Sequence, residues 1–493
     1  MRVVEGERRT RTCSSFTIAP FLVTVFGALV GACGGELGRA GLADGGGGAE
    51  TASGATGSGG AVVAGAGGSS AGGGAPSSAT VGAGGTTSTA GGAVASSAAS
   101  GGAAEPPDPC LMMKPSCPGA PPASAGEGLK PIDRCAFSLV DANTWTQNAA
   151  LVSTLAGKLQ STNIAGLLGS LNRIAVPISA GTLPGSATGF VSGFRWNDGD
   201  NNVAYWIPQG LTGSADSVAS GLVGGHHVVL VSWYYDKASD PGATYEKGAR
   251  LALVDTSVSP PKYRLMLLVE PVAGNPPSFK AVTIHAGGIA WFGDYLYVAH
   301  TSKGFRVFDL AHVLSTDPST DSIGYDAGAK AYFAAKYSYV VPQVGHYTDS
   351  SACNPLFSFV GLDRSEPVPA LISGEYCEGI NACATAYSGR LYRWPLDPAT
   401  GLLGPKTSFP AEAFYMGEKQ VQGAVMRAGT TLLSSSAPVA AGGELYVIPP
   451  QQPRKKLGWV DTPEDLYQNL VTNTLWGLSE ASGARYVFSV KAP

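Results

Sequence analysis

The chain has 493 residues, 44% of them hydrophobic and only 14% charged, with 68 glycines and a formal net charge of −4. Mild acidity excludes a nucleic-acid binder, which needs a clustered positive face. Sparse charge with abundant Gly, Ser and Thr suits an extracellular β-protein rich in turns better than a cytosolic helical enzyme.

Residues 1–32 have the layout of an export signal. Arg2, Arg8, Arg9 and Arg11 make a positive n-region, and Phe16 to Val30 an apolar core. Pro20 and the short apolar length argue against a membrane span, which needs about 20 apolar residues. Val30-Gly31-Ala32-Cys33 resembles the bacterial lipobox, implying cleavage before Cys33 and diacylation of its thiol. Ordinary signal peptidase cleavage and an uncleaved anchor are the alternatives. The expectation is an exported chain, lipid-anchored to the bacterial cell envelope at the outer membrane or cell surface. Loss of residues 1–32 removes four arginines and two glutamates, leaving a net charge near −6.

Residues 33–108 are almost entirely Gly, Ala, Ser and Thr. Such a segment buries too little apolar surface to offset its ordering entropy, so it reads as a disordered tether. Its expected r.m.s. span is on the order of 45–50 Å. Residues 109–189 form a cysteine-bearing neck and a mixed segment, in which Leu151, Leu155, Leu159, Leu167, Leu168 and Leu171 recur at roughly helical spacing. One or two short helices are expected there.

With Cys13 in the signal and Cys33 as lipid site, Cys110, Cys117, Cys135, Cys353, Cys377 and Cys383 remain. An even set in an exported chain reads as disulfides, and six cysteines allow 15 pairings. A local Cys377–Cys383 or Cys353–Cys377 bridge is expected, the N-terminal three completing the set.

Residues 190–493 read as β throughout. Strands led by Gly248, Gly304, Gly389, Gly443 and Gly483 repeat a glycine followed by a short apolar run. Each follows an apolar strand with a small polar residue, and most of these follow an opening strand ending in a Gly/Asp-aliphatic pair. Repeated a-b-c-d strands predict an all-β fold, a β-propeller, with five blades favoured over six. The chain stops directly after a third strand, so the segment Phe190 to Trp196 is expected to close the ring and remove its open edges.

Several runs carry a resemblance: Phe194-Arg-Trp-Asn-Asp-Gly, Tyr205-Trp-Ile-Pro-Gln-Gly, Ile284-His-Ala-Gly-Gly-Ile, Gly293-Asp-Tyr-Leu-Tyr-Val and Gly304-Phe-Arg-Val-Phe-Asp-Leu. Over roughly residues 190–493 they resemble an uncharacterised family of secreted bacterial β-propeller-like proteins. The resemblance implies fold and export but no reaction.

Aligning the Gly/Asp-aliphatic pairs places Gln209, Gly287, Gln422 and Glu464 at one position of the channel-lining strands. His285 lies two residues before Gly287, on the same face, and Asp465 follows Glu464. Two amides, an imidazole and carboxyl groups could bind a polar ligand or a cation, for which oxygen-preferring calcium is the candidate. The simpler reading is a mutual hydrogen-bond network around a narrow channel. The set is loosely similar to metal-dependent lactonase propellers, but only Glu464 and Asp465 are acidic, which speaks against lactone hydrolysis. Asp198, Asp200 and Asn202 alternate like the start of an EF-hand loop, yet Val203 occupies the required glycine position, so a turn is expected. His226 and His227 should face opposite ways. Residues 109–493 hold no GxSxG elbow, phosphate-loop or HExxH motif. The expectation is a monomeric module binding or scaffolding a protein or carbohydrate ligand. The alternative is a metal-dependent hydrolase or lyase acting at the channel.

Overall fold

The computed structural model describes residues 108–119, 128–351, 353–377, 389–404, 406–436 and 442–493, all within one compact unit. The expected signal, the Cys33 lipid site, the tether up to residue 107 and Cys383 lie outside the described residues.

Each glycine-led run is the third strand of a four-stranded antiparallel blade. Blade I comprises Trp206–Gly213, Val228–Tyr235, Ala249–Asp255 and Lys262–Val272. Blade II comprises Ile289–Phe292, Tyr295–His300, Gly304–Asp309 and Tyr339–Asp349. Blade III is built from Phe359–Asp363, Ala370–Gly374, Arg390–Pro395 and Glu412–Tyr415. Val421–Arg427, Thr430–Ser435, Glu444–Ile448 and Lys455–Gly458 make blade IV. Blade V takes Pro463–Asn469, Thr474–Ser479 and Tyr486–Lys491 from the end of the chain. Its fourth strand is Phe190–Arg195, paired antiparallel with Tyr486–Lys491. The closing strand thus falls within the expected Phe190 to Trp196 segment. Opening strands of successive blades touch all the way round, blade V meeting blade I. The protein is a five-bladed β-propeller.

Blades stack face to face, so both faces of a strand are covered and its apolar pattern does not alternate. Val228–Tyr235 shows the consequence. Val228 and Leu230 join the core between blades I and II, while Val229, Val231 and Trp233 join the core between blades V and I. Similar clusters fill the II–III, III–IV and IV–V junctions. Trp196, Trp233, Trp394 and Trp459 are fully buried in them, each contributing at least the roughly 2–3 kcal/mol of a large buried side chain.

The N-terminal segment girdles the ring. Lys130–Pro131 adds a strand to blade III, Leu139–Asp141 pairs with the outer strand of blade II, Arg173–Ile174 with that of blade I, and Val176–Pro177 with Phe190–Arg195 of blade V. The helices are Trp145–Ala156 and Ile164–Leu167. The segment is therefore stitched onto the blades along their outer edges.

Cys110 pairs with Cys135, and Cys117 with Cys353 across 236 positions. This corrects the expected Cys353–Cys377 alternative: the N-terminal girdle reaches the II–III junction and takes Cys353 there. Cys377 is also disulfide-bonded, with a partner outside the described residues.

Candidate functional site at the channel mouth

Five opening strands can meet at one axis only if their backbones approach closely. A Cβ on Gly210 would lie 2.8 Å from the Ile289 nitrogen, and one on Gly423 2.6 Å from the Asp465 Cα. At Gly288 and Gly361 a Cβ would fall on the Val360 nitrogen and the Ala424 oxygen. Four blades thus place glycine at the tightest level of the ring. The fifth places Asp465 there. Its Oδ2 accepts the Leu211 N–H at 3.0 Å and the Ile289 N–H at 3.2 Å, tying blade V to blades I and II. Burial pushes this carboxyl well above the usual range, against the lowering effect of its backbone donors. Asp465 is a central pin.

One residue earlier on these strands lie the expected polar side chains. Gln209 Nε2 donates to Glu480 Oε2 at 2.8 Å and to the Pro208 carbonyl at 3.0 Å. Gln422 Nε2 donates to Glu464 Oε1 at 3.2 Å. Glu464 is buried, and desolvation, then the charges of Glu480 and Asp465, push it well above the carboxylate range. Burial pushes Glu480 up to about 7, opposed by the Gln209 hydrogen bond and the Arg485 charge. Arg485 is buried beside it, its Nε donating to the Glu480 carbonyl and its Nη1 to the Asp200 carbonyl, each at 2.9 Å. Gln209, Gln422, Glu464 and Asp465 therefore converge. His285 instead packs against Tyr234, with ring centroids 4.3 Å apart, and burial pulls its imidazole down to about 4.

Glu480 is the member that the sequence reading missed. It follows the second strand of blade V, just as Glu375 follows that of blade III, and both positions close the small-polar strand pattern. The two differ in partners. Glu375 is locked by Arg390, with Nη2 to Oε1 at 2.6 Å and Nε to Oε2 at 2.9 Å. Glu480 meets an amide at its side chain and keeps partial exposure.

At the other end of the opening strands, the one-turn helix Ser214–Ser217 packs against blades II and V. Thr212 Oγ1 donates to Asp216 Oδ2 at 2.8 Å, and Arg364 Nη1 to the Asp216 carbonyl at 2.6 Å. Burial pushes the Asp216 carboxyl up to about 8. The channel is thus occupied from Asp465 to this helix, and the polar cluster faces the opposite mouth.

Among the described residues, no group of three or more His, Cys, Asp or Glu is disposed to hold a metal ion. The EF-hand-like run is a one-turn helix, Asp198–Asn201, capped by the Asn197 side chain. Asp200 accepts from Tyr263 Oη at 2.6 Å, Arg173 at 2.9 Å and Arg250 at 3.3 Å, which makes it a structural hub. His226 faces Asp255 at 2.8 Å, whereas His227 meets Thr256 and stacks on Trp476. The two imidazoles do not share a ligand.

No family model and no curated protein matches the sequence. Among solved structures, the chain is similar to a GH43_1 enzyme from Xanthomonas citri at 9% identity, covering 69% of this chain and 92% of that chain with a TM-score of 0.28. It is also similar to Pseudomonas fluorescens PhoX in complex with vanadate, a transition state analogue, at 8% identity, covering 65% and 98% with a TM-score of 0.31. Neither likeness carries weight at these scores, and the fold assignment rests on the strand pairing itself.

Proposed function

We propose that this protein is an exported, lipid-anchored binding module that takes a polar, hydroxyl-rich ligand, a carbohydrate, at the channel mouth. One observation carries the reading: two amide–carboxyl pairs, Gln209–Glu480 and Gln422–Glu464, sit side by side above the Asp465 pin. Amide oxygens and partly protonated carboxyls supply both donors and acceptors, which suits sugar hydroxyls. The half-buried Tyr234–His285 pair offers a ring surface for stacking. The paired cysteines support export, because disulfides persist in oxidising compartments.

The test is a glycan-array screen of the full chain, followed by calorimetry on the best ligand. Glu480→Ala and Gln209→Ala should each weaken binding by about tenfold or more, the scale of one lost hydrogen bond to a charged group. Glu464→Gln should be tolerated. Absence of any retained glycan, or unchanged affinity in both alanine variants, would sink the proposal.

A second reading is the hydrolase or lyase. It is favoured by Glu480, pushed up to about 7, beside Glu464, which burial pushes well above the carboxylate range, an acid–base arrangement. Under that reading Glu464→Gln abolishes turnover, whereas a binding module keeps its affinity.

A further inference from the structure

A groove separate from the mouth opens between blades III and IV, with a volume of about 560 Å³. Met426 and Thr431 flank the turn after the opening strand of blade IV, while Gln422 stands four residues earlier, roughly 13 Å back along the strand. The groove therefore belongs to the far end of the blades. Its size is that of a small-molecule site.

Val368, Phe414 and Met426 give it apolar walls. Its charged residues do not balance. Arg393 Nε lies 3.4 Å from Asp363 Oδ2, and these two neutralise each other. Glu366 and Glu412 also line the groove, are exposed, and enter no ion pair among the described residues. Two negative charges are left uncompensated. The wall also holds Thr431, which is fully buried and whose Oγ1 has no hydrogen-bond partner among the described residues. Buried hydroxyls are seldom left so.

We infer that this groove binds a small amphipathic cation, an apolar body carrying one primary ammonium group. The apolar part lies against Phe414 and Met426. The ammonium has three N–H donors and no acceptor, matching the two rim carboxylates. A neutral ligand of equal shape forgoes the charge term, and an anion is repelled.

The test uses 2-phenylethylammonium as probe, with 2-phenylethanol as neutral isostere and phenylacetate as anion, titrated into the full chain by ligand-observed NMR. The cation should bind about fivefold or more tighter than the alcohol, the scale of two partly exposed ion pairs. Phenylacetate should bind weakest. The double variant Glu366→Gln/Glu412→Gln, at two exposed positions, should bring the cation to the level of the alcohol. Ala411→Trp, also exposed, fills the groove from its rim and should block both. Glu480→Ala at the mouth should change nothing. Equal affinity for cation and alcohol overturns the inference, as does binding that survives Ala411→Trp or disappears with Glu480→Ala.

Discussion

Glu480 and Glu464 share a desolvated corner in which two carboxylates cannot both ionise without a large electrostatic cost. Glu480 is held at about 7, against 4.5 for a free glutamate. The native state thus keeps a proton that the unfolded chain releases, and stability falls as pH rises from about 4.5 to 7. His227, His285 and His300, each pulled to about 4 chiefly by burial, act in the opposite sense. They stabilise the native state above pH 6.5 and lose that contribution as pH falls toward 4. Net pH dependence therefore mixes both signs, and the Glu480 contribution is read as a difference. Wild type should lose melting temperature relative to Glu480→Gln between pH 5 and pH 8, because glutamine has no charge to desolvate. A difference that stays flat over that range would show that Glu480 is not the proton holder. Gln209, Gln422 and Glu464 were legible in the sequence because a repeated strand register put them at equivalent positions, and Asp465 because it follows Glu464 where the others have glycine. Glu480 was not, since the side chain enters from a second-strand end that only the ring brings over the channel.

At the scale of the element, the opening strands are defined by how near their backbones come. Val360-Gly361-Leu362 belongs to the same series as Gln209-Gly210-Leu211, but a valine ahead of the glycine hid it from the polar pattern. Gly288→Ala should cost at least about 2 kcal/mol, because the new methyl would overlap the Val360 nitrogen and the strands cannot part without opening the ring. Gly169→Ala, which meets nothing within 4 Å, should stay within about 0.5 kcal/mol. Urea unfolding of both variants measures this. An unchanged midpoint for Gly288→Ala would mean that the axis tolerates a side chain after all.

For the whole molecule, closure is the organising fact. Three strands of the last blade come from residues 463–491, and Phe190–Arg195 supplies its fourth. The girdle and the Cys117–Cys353 bridge further tie the start of the fold to its middle, a link that fits assembly in an oxidising compartment. If export ends in lipid anchoring, palmitate should label the wild-type chain and not Cys33→Ala; labelling that survives the substitution excludes Cys33 as the lipid site. The sequence by itself determined the strand content, the five-fold repeat and the need for a closing strand, because these follow from local periodicity and from edges that must be paired. Only the tertiary structure decided the cysteine partners, the Asp465 pin and the Gln209–Glu480 pairing. Those depend on which blades become neighbours, and that is fixed by ring closure rather than by any local run of residues.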